Sequence, residues 1–241
     1  MPALDDHPLR YTLNSELHAR PFPSLTAPHV AAYLAVRPSG EAARRDRSVD
    51  LQQLRDLLAH YGAPLPAADA THYFGPMGKY TLKWEQHTEF VTYTVFLDQL
   101  GQRPFDPAEF DVFPQDWRAG LNAQRITSIL LRLVPRPPQD AQIAEALQDR
   151  FVPESLAVAS VLEDAAVIAS DFRIDPAGHM RMAVFASEGT GSRRLGRIVQ
   201  RLCEIETYKS MSMLGFAKVR EFAGQLDRID AELNDLMAGM A

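Results

Sequence analysis

The alternation of hydrophobic and polar positions in the first part of the chain predicts strands interrupted by one helix. HVAAYLAVRP (29–38) is apolar and partly β-branched, which is typical of a strand. Residues 49–62 carry leucines at helical spacing and end at a glycine, which predicts a helix. Residues 71–98 predict strands with a turn in the GPMG segment, and residues 101–122 predict an irregular or short helical connection.

The same order of elements recurs in the second part of the chain. Residues 124–135 predict a strand, residues 139–151 a helix, and residues 155–187 three short strands with a hairpin turn at the DPAG segment. We therefore predict an α+β fold of two β-α-β-β-type halves with a mostly antiparallel sheet, followed by a long C-terminal helix or helical hairpin. The predicted segments are an N-terminal arm (1–28), a first half (29–122), a second half (123–190) and a long amphipathic helix (191–241).

From Ser192 onward the hydrophobic positions follow a helical repeat. The last part has the 3,4 spacing of a coiled-coil seam or helical hairpin. An upstream run with the same spacing is in a different frame, so we expect a break, kink or turn where the two meet at Gly215. Because such a helix needs a partner, we predict a homo-oligomer formed through it. The seam consists of Val219, Phe222, Leu226, Ile229, Leu233, Leu236 and Met240.

Composition and charge exclude several classes of protein. The net charge of −6 gives no electrostatic basis for nucleic-acid binding. The single cysteine, Cys203, excludes a disulfide framework and a CxxC zinc motif, and we expect it to pack in the core. No signal-peptide pattern is present and no window approaches ~18 consecutive apolar residues, which favours the cytoplasm. The end of the chain inside a running helix indicates a truncated protein.

Glu85, His87 and Glu89 occupy every second position of the run KWEQHTEFVTYTVF (83–96). On a strand this spacing places the three side chains on one face. Carboxylates and imidazole in that arrangement suit a divalent metal or acid–base chemistry. The interpretation that we prefer is a polar strand end held by ion pairs, and an interface is a third alternative.

Asp171, Arg173 and Asp175 form a second polar set on one face of a predicted DFRID strand. An arginine between two carboxylates is typical of a surface network, and a ligand site is the alternative. If the two halves are related by pseudo-symmetry, this face lies near the face of Glu85. Together they then form a buried polar junction in which the charges are paired.

Two further polar sets lie on the arm and at the start of the long helix. Glu16, His18 and Arg20 lie on the arm, and we predict that Arg20 and His18 tie it to the body through carboxylates. A catalytic His18 is the less favoured alternative, because no nucleophile is placed beside it. The basic set follows a glycine-containing segment that invites an anion site, but no phosphate-loop motif is present, so ion pairs are preferred. No other catalytic motif is present, and the cofactor is unknown. The basic set consists of Arg193, Arg194, Arg197 and Arg201.

Four stretches of the chain are characteristic in combination: LNSELHARPF (13–22), LKWEQHTEF (82–90), ASDFRIDPAGHMR (169–181) and GRIVQRLCEIETYKSMSMLG (196–215). They resemble a bacterial family of uncharacterised proteins, the domain of unknown function 3422. The resemblance implies a membrane-anchored protein whose chain continues beyond this sequence into hydrophobic C-terminal segments. It implies no activity and no catalytic residues, because none is established for the family.

These observations predict the soluble, cytoplasmic domain of a membrane-anchored protein that self-associates or acts as a scaffold through its C-terminal helix. One alternative is an ion- or ligand-responsive domain with the layout of CorA-type magnesium channels. Metal binding at Glu85, His87 or Glu89, or at the acids of the DFRID segment, would favour it. Another is a hydrolase or transferase, which a deep pocket holding His87 would favour.

Overall fold

The computed structural model describes residues 5–8, 10, 22–38 and 46–239. Eight strands form one sheet in the order β2-β3-β4-β1-β5-β8-β7-β6. The strands are β1 (His29–Pro38), β2 (His72–Met77), β3 (Tyr80–Gln86), β4 (Val91–Leu97), β5 (Ala123–Pro135), β6 (Ala157–Val161), β7 (Ala166–Ser170) and β8 (Met180–Ala186). The helices are α1 (Arg47–His60), α2 (Gln115–Gly120), α3 (Asp140–Leu147) and α4 (Ser192–Gly239), with 3₁₀ turns at Pro107–Val112 and Pro153–Ser155.

The sheet is antiparallel at every strand pair except β5–β8. The predicted mixed fold, with a mostly antiparallel sheet and a long C-terminal helix, is therefore confirmed. The two predicted halves contribute four neighbouring strands each to one sheet, with β1 and β5 adjacent at its centre. They differ in one respect: β4 runs antiparallel to β1, whereas β8 runs parallel to β5.

Helix α1, predicted over 49–62, begins and ends two residues earlier in the structure. The side chain of Asp46 accepts a hydrogen bond from the backbone N–H of Ser48 at 2.9 Å and so caps the first turn. The helix ends before Gly62, whose φ of +60° favours glycine. The buried leucines of α1 pack on one face of the sheet, against Trp84 and Tyr93. That face is also covered by α3 and by the aromatic residues of the 105–117 connection.

The chain divides into two units, residues 1–203 and residues 204–241, and α4 runs through the boundary. In the first unit, Leu195, Ile198 and Cys203 of α4 pack on the second face of the sheet, against residues of β5 and β8. The expected packing role of Cys203 is thus confirmed, since its side chain is buried in this core. In the second unit the helix is continuous through Gly215, so the break expected there is wrong.

The C-terminal end of the arm docks on the start of α4. The backbone N–H of Leu25 donates to the carbonyl of Ser192 at 3.0 Å, and the Leu25 side chain is buried in the same core as Leu195. Pro23 crosses α4 at Gly196, where a Cβ would overlap the Pro23 carbonyl oxygen. Within the part of the chain that the structure describes, no helix is both long enough and apolar enough to traverse a bilayer.

Candidate functional site

The structure places Glu85 in an ion pair on the second face of the sheet. Its carboxylate lies 2.8 Å from the ammonium group of Lys83, two residues away on the same face of β3, and both side chains are almost fully buried. Lys83 also donates to the side-chain oxygen of Gln200 on α4 at 3.0 Å. The buried positive charge of Lys83 and the buried negative charge of Glu85 neutralise each other. Through Gln200, the pair also joins the sheet to the first part of α4.

The strand predicted through His87 and Glu89 is interrupted by a turn. Strand β3 ends at Gln86, and the backbone N–H of His87 donates to the carbonyl of Phe90 at 2.9 Å, which closes the β3–β4 hairpin. The His87 ring stacks on Phe90 with 4.3 Å between centroids. Glu89 lies at the exposed tip. The three residues therefore do not share one strand face, because a tight turn replaces the pleat after Gln86.

Asp171 is a buried structural carboxylate. Strand β7 ends at Ser170, and Phe172 has a left-handed backbone with φ of +54°, so the DFRID segment is irregular, with one isolated bridge from Ile174 to Met180, and is not the strand that we predicted. Asp171 accepts hydrogen bonds from the backbone N–H groups of Val152 (2.9 Å) and Arg173 (3.1 Å). The Nη2 atom of Arg181 lies 3.4 Å from Oδ2 of Asp171. These contacts fasten the loop after α3 to the end of β7.

The Arg173 and Asp175 side chains face different partners. The Arg173 guanidinium donates to the hydroxyl of Ser155 at 2.7 Å. Asp175 accepts from the backbone N–H of His179 at 2.8 Å and so shapes the turn before β8. Four strands separate β3 from β7, which is about 24 Å at the usual strand spacing. The expected junction between this set and Glu85 is therefore wrong: the two halves adjoin through β1 and β5, which places their outer hairpins far apart.

A buried serine–histidine pair was missed by the sequence analysis. The Ser128 hydroxyl donates to the Gly178 carbonyl at 3.0 Å and lies 3.0 Å from Nδ1 of His179, whose ring packs on Phe110. Burial lowers the pKa of His179 below its usual 6.5, against the opposing effect of Asp175. Because the Ser128 hydroxyl donates its proton to the Gly178 carbonyl, His179 does not activate it as a nucleophile. The only signal in the sequence was the lone histidine after the DPAG turn.

A second missed pair lies between the 101–109 segment and β5. The carboxylate of Glu109 is 3.7 Å from Arg132, and both side chains are buried. Burial raises the pKa of Glu109, while Arg132 opposes the shift. The Arg132 guanidinium also donates to the carbonyl of Arg103 at 3.3 Å. This pair holds the connection after β4 against the centre of the sheet.

The remaining predicted site residues do not form a centre in the described part of the chain. Arg197 lies over the ring of Phe22 with 4.8 Å to the centroid, and Arg194 is exposed. Glu16, His18 and Arg20 lie outside the described residues. Among the residues that the structure describes, no three His, Cys, Asp or Glu side chains stand close enough to hold a metal ion.

The second unit carries an exposed apolar stripe. Its members lie three and four residues apart on one side of α4, and each is more than half exposed. We call this set the apolar stripe; it consists of Val219, Phe222, Leu226, Ile229, Leu233 and Leu236. Exposed apolar patches of this length are typical of association surfaces.

The comparisons identify a family without an assigned activity. The family model described as protein of unknown function (DUF3422) matches residues 5–241. The match covers almost the whole chain, including the sheet and the parts of α4 that belong to the first and the second unit. No curated protein and no solved structure matches the chain.

Proposed function

We propose that this chain, which belongs to the DUF3422 family of proteins of unknown function, is a non-catalytic assembly domain that self-associates through the apolar stripe of α4. The observation that carries the proposal is the exposure of six large apolar side chains at unbroken heptad spacing. In water, a lone helix of this kind is marginal unless its apolar face is buried. A second copy of the same helix supplies a matching face.

The heptad positions are compatible with a coiled coil. Val219, Leu226 and Leu233 occupy one set of core positions, and Phe222, Ile229 and Leu236 occupy the other. The residues at the two sets are mixed, so the pattern specifies no single number of helices. The outer side of the same helix carries polar, charged or small residues: Arg220, Glu221, Gly224, Asp227, Arg228, Ala231, Asn234 and Asp235.

The place of this assembly in the cell is proposed from the resemblance to the family. In that proposal the longer protein continues into a hydrophobic C-terminal anchor, and this domain lies on the cytoplasmic face of the inner membrane as a scaffold. Fractionation of cells that express the complete gene product, followed by carbonate extraction of the membranes, tests it. Recovery of the complete protein in the soluble fraction would contradict the anchor without bearing on self-association.

Substitutions on and beside the stripe test the self-association itself. Leu233→Glu places a charge in the seam, whereas Asn234→Glu introduces the same residue one position away on the outer side. Sedimentation velocity over a range of protein concentrations is expected to show oligomers for the parent chain and Asn234→Glu. Leu233→Glu is expected to sediment as a monomer. Equal behaviour of the two variants would contradict the proposal.

A further inference from the structure

The two outer strands of the sheet differ in how their open edges are protected. Strand β2 contains Pro76, which lacks a backbone donor, and the Tyr73 hydroxyl bonds the Pro76 carbonyl at 2.9 Å. Strand β6 has the sequence AVASV, without proline or charge, and its first four residues are exposed. No described strand pairs with its outer side. An open edge without such protection is a template for an added strand.

An apolar groove runs beside this unprotected edge. It has a volume of about 930 Å³ and lies between α3 and β6, with Ile143, Leu147 and Val167 among its lining residues. Val158 faces it from the edge strand and is 50% exposed. Val158 is paired with Ala169 on β7, and Val167 lies two residues before Ala169 on that strand. Val158 and Val167 are therefore on the same face of the sheet. The groove and the open edge are therefore one continuous surface.

The rim of this groove is acidic. Asp140, Glu145 and Asp149 line it, and all three are exposed. The only cation among the lining residues is Arg136, which is paired with Asp140 at 3.0 Å and with Asp164 at 2.8 Å. Among the residues that the structure describes, Glu145 and Asp149 form no ion pair, so the surface presents negative charge next to apolar walls. Its charge is complementary to a basic ligand.

We propose that the surface formed by β6 and the α3 groove binds an extended, basic and apolar polypeptide segment as an added strand. The main chain of that segment pairs with the free edge of β6, its alternate apolar side chains enter the groove over Val158, and its lysine or arginine side chains contact Glu145 and Asp149. A second copy of this chain is a poorer occupant. The usual antiparallel pairing of two β6 edges would bring two acidic rims together on one face.

A direct binding measurement with defined peptides tests the proposal. The probe is a fluorescein-labelled octapeptide of alternating lysine and valine, titrated with the full chain and followed by fluorescence anisotropy. We expect saturable binding that weakens with added salt, and little binding of the matching glutamate–valine peptide. We also expect loss of binding for a lysine–valine peptide with N-methyl groups on the amides of one edge, because that edge can no longer donate. Equal binding of all three peptides would overturn the proposal.

Variants of β6 locate the binding surface. Val158→Lys places a charge over the groove, whereas Ala157→Lys places the same charge on the opposite face of the same strand, at a residue that does not line the groove. We expect Val158→Lys to weaken binding of the lysine–valine peptide about tenfold and Ala157→Lys to change that binding little. Glu145→Gln combined with Asp149→Asn is expected to reduce the salt dependence; asparagine suits position 149, where φ is +60°. Far-ultraviolet circular dichroism confirms that each variant is folded.

Two outcomes would overturn the assignment. Unchanged affinity in Val158→Lys and in the Glu145, Asp149 double variant would mean that the peptide binds elsewhere. A molar mass in solution that falls on Val158→Lys without any peptide present would mean that a second copy occupies the edge. Neither outcome affects the apolar stripe of α4, because the stripe residues are unchanged in these variants.

Discussion

The carbonyl oxygen of Pro23 occupies the space that a Cβ on Gly196 would need. Gly196 is therefore the point at which the arm can cross α4 in contact with the helix backbone. The contact explains a glycine in the middle of a buried helical segment, where it otherwise costs about 0.5–1 kcal/mol relative to alanine.

Gly196→Ala is expected to lower the free energy of unfolding by about 1–3 kcal/mol, because overpacking exceeds the gain in helix propensity. Urea denaturation followed by circular dichroism measures it. Gly224→Ala is the matched control, since no atom lies within 4 Å of a Cβ built there. A neutral or stabilising effect at both positions would contradict the docking of Pro23 on the helix.

The Lys83–Glu85 pair is expected to behave as a structural unit. Lys83→Met or Glu85→Leu alone leaves one buried charge without its partner, which costs about 3–5 kcal/mol. The double variant removes both charges and is expected to be more stable than either single variant. Chemical denaturation of the four proteins gives the coupling energy. Additive effects would show that the two side chains act independently.

His179 is expected to make stability depend on pH. Burial lowers its pKa below 6.5 in the folded state, so the unfolded chain binds a proton first as the pH falls. The contribution of neutral His179 to the free energy of unfolding is therefore fully present above pH 6.5 and is lost as the pH falls below it. This group lowers the free energy of unfolding by at most ~1.4 kcal/mol per pH unit. Urea denaturation at pH 7.5 and pH 5.5 measures the loss.

His179→Gln separates this group from the other histidines. The variant is expected to be less stable than the parent chain at pH 7.5, because the contacts with Ser128 and Phe110 are changed. Its stability is expected to fall less between pH 7.5 and pH 5.5. An identical pH dependence in the two proteins would mean that His179 does not contribute.

The order of elements could be predicted from the sequence because each element carries a local signal. The leucines of α1, the apolar run of β1 and the DPAG turn specify helix, strand and hairpin from short-range chemistry alone. Strand direction could not be predicted in the same way. Whether β8 lies parallel or antiparallel to β5 depends on how the crossover through α3 and the two intervening strands is routed, and no local pattern records that.

The polar sets were harder to predict because periodicity does not reveal a turn inside a charged run. Glu85, His87 and Glu89 match a strand in spacing, yet the hairpin begins at His87. The partner of Glu85 is Lys83 two residues earlier, in a run that was otherwise correctly assigned to a strand. Ser128 and His179 are far apart in sequence, and only the pairing of β5 with β8 brings them together.

The apolar stripe shows the opposite case. Its heptad spacing was evident in the sequence, and the structure shows the seam residues from Val219 to Leu236 exposed along an unbroken helix. Met240, the last predicted seam residue, lies outside the described residues. The frame change around Gly215 did not produce a break, because a single glycine costs too little helix propensity to end a helix. In the proposed self-association, a second copy of the helix covers the stripe.

The molar mass in solution tests that proposal most directly. Light scattering on a sizing column would be applied to the full chain and to a chain that ends at Ser212, which keeps Leu195, Ile198 and the rest of the core segment of α4. For the full chain we predict a molar mass of at least twice the 26.9 kDa chain mass. For the shorter chain we predict the mass of a monomer. A full chain that remains a monomer at the highest concentrations would contradict the account.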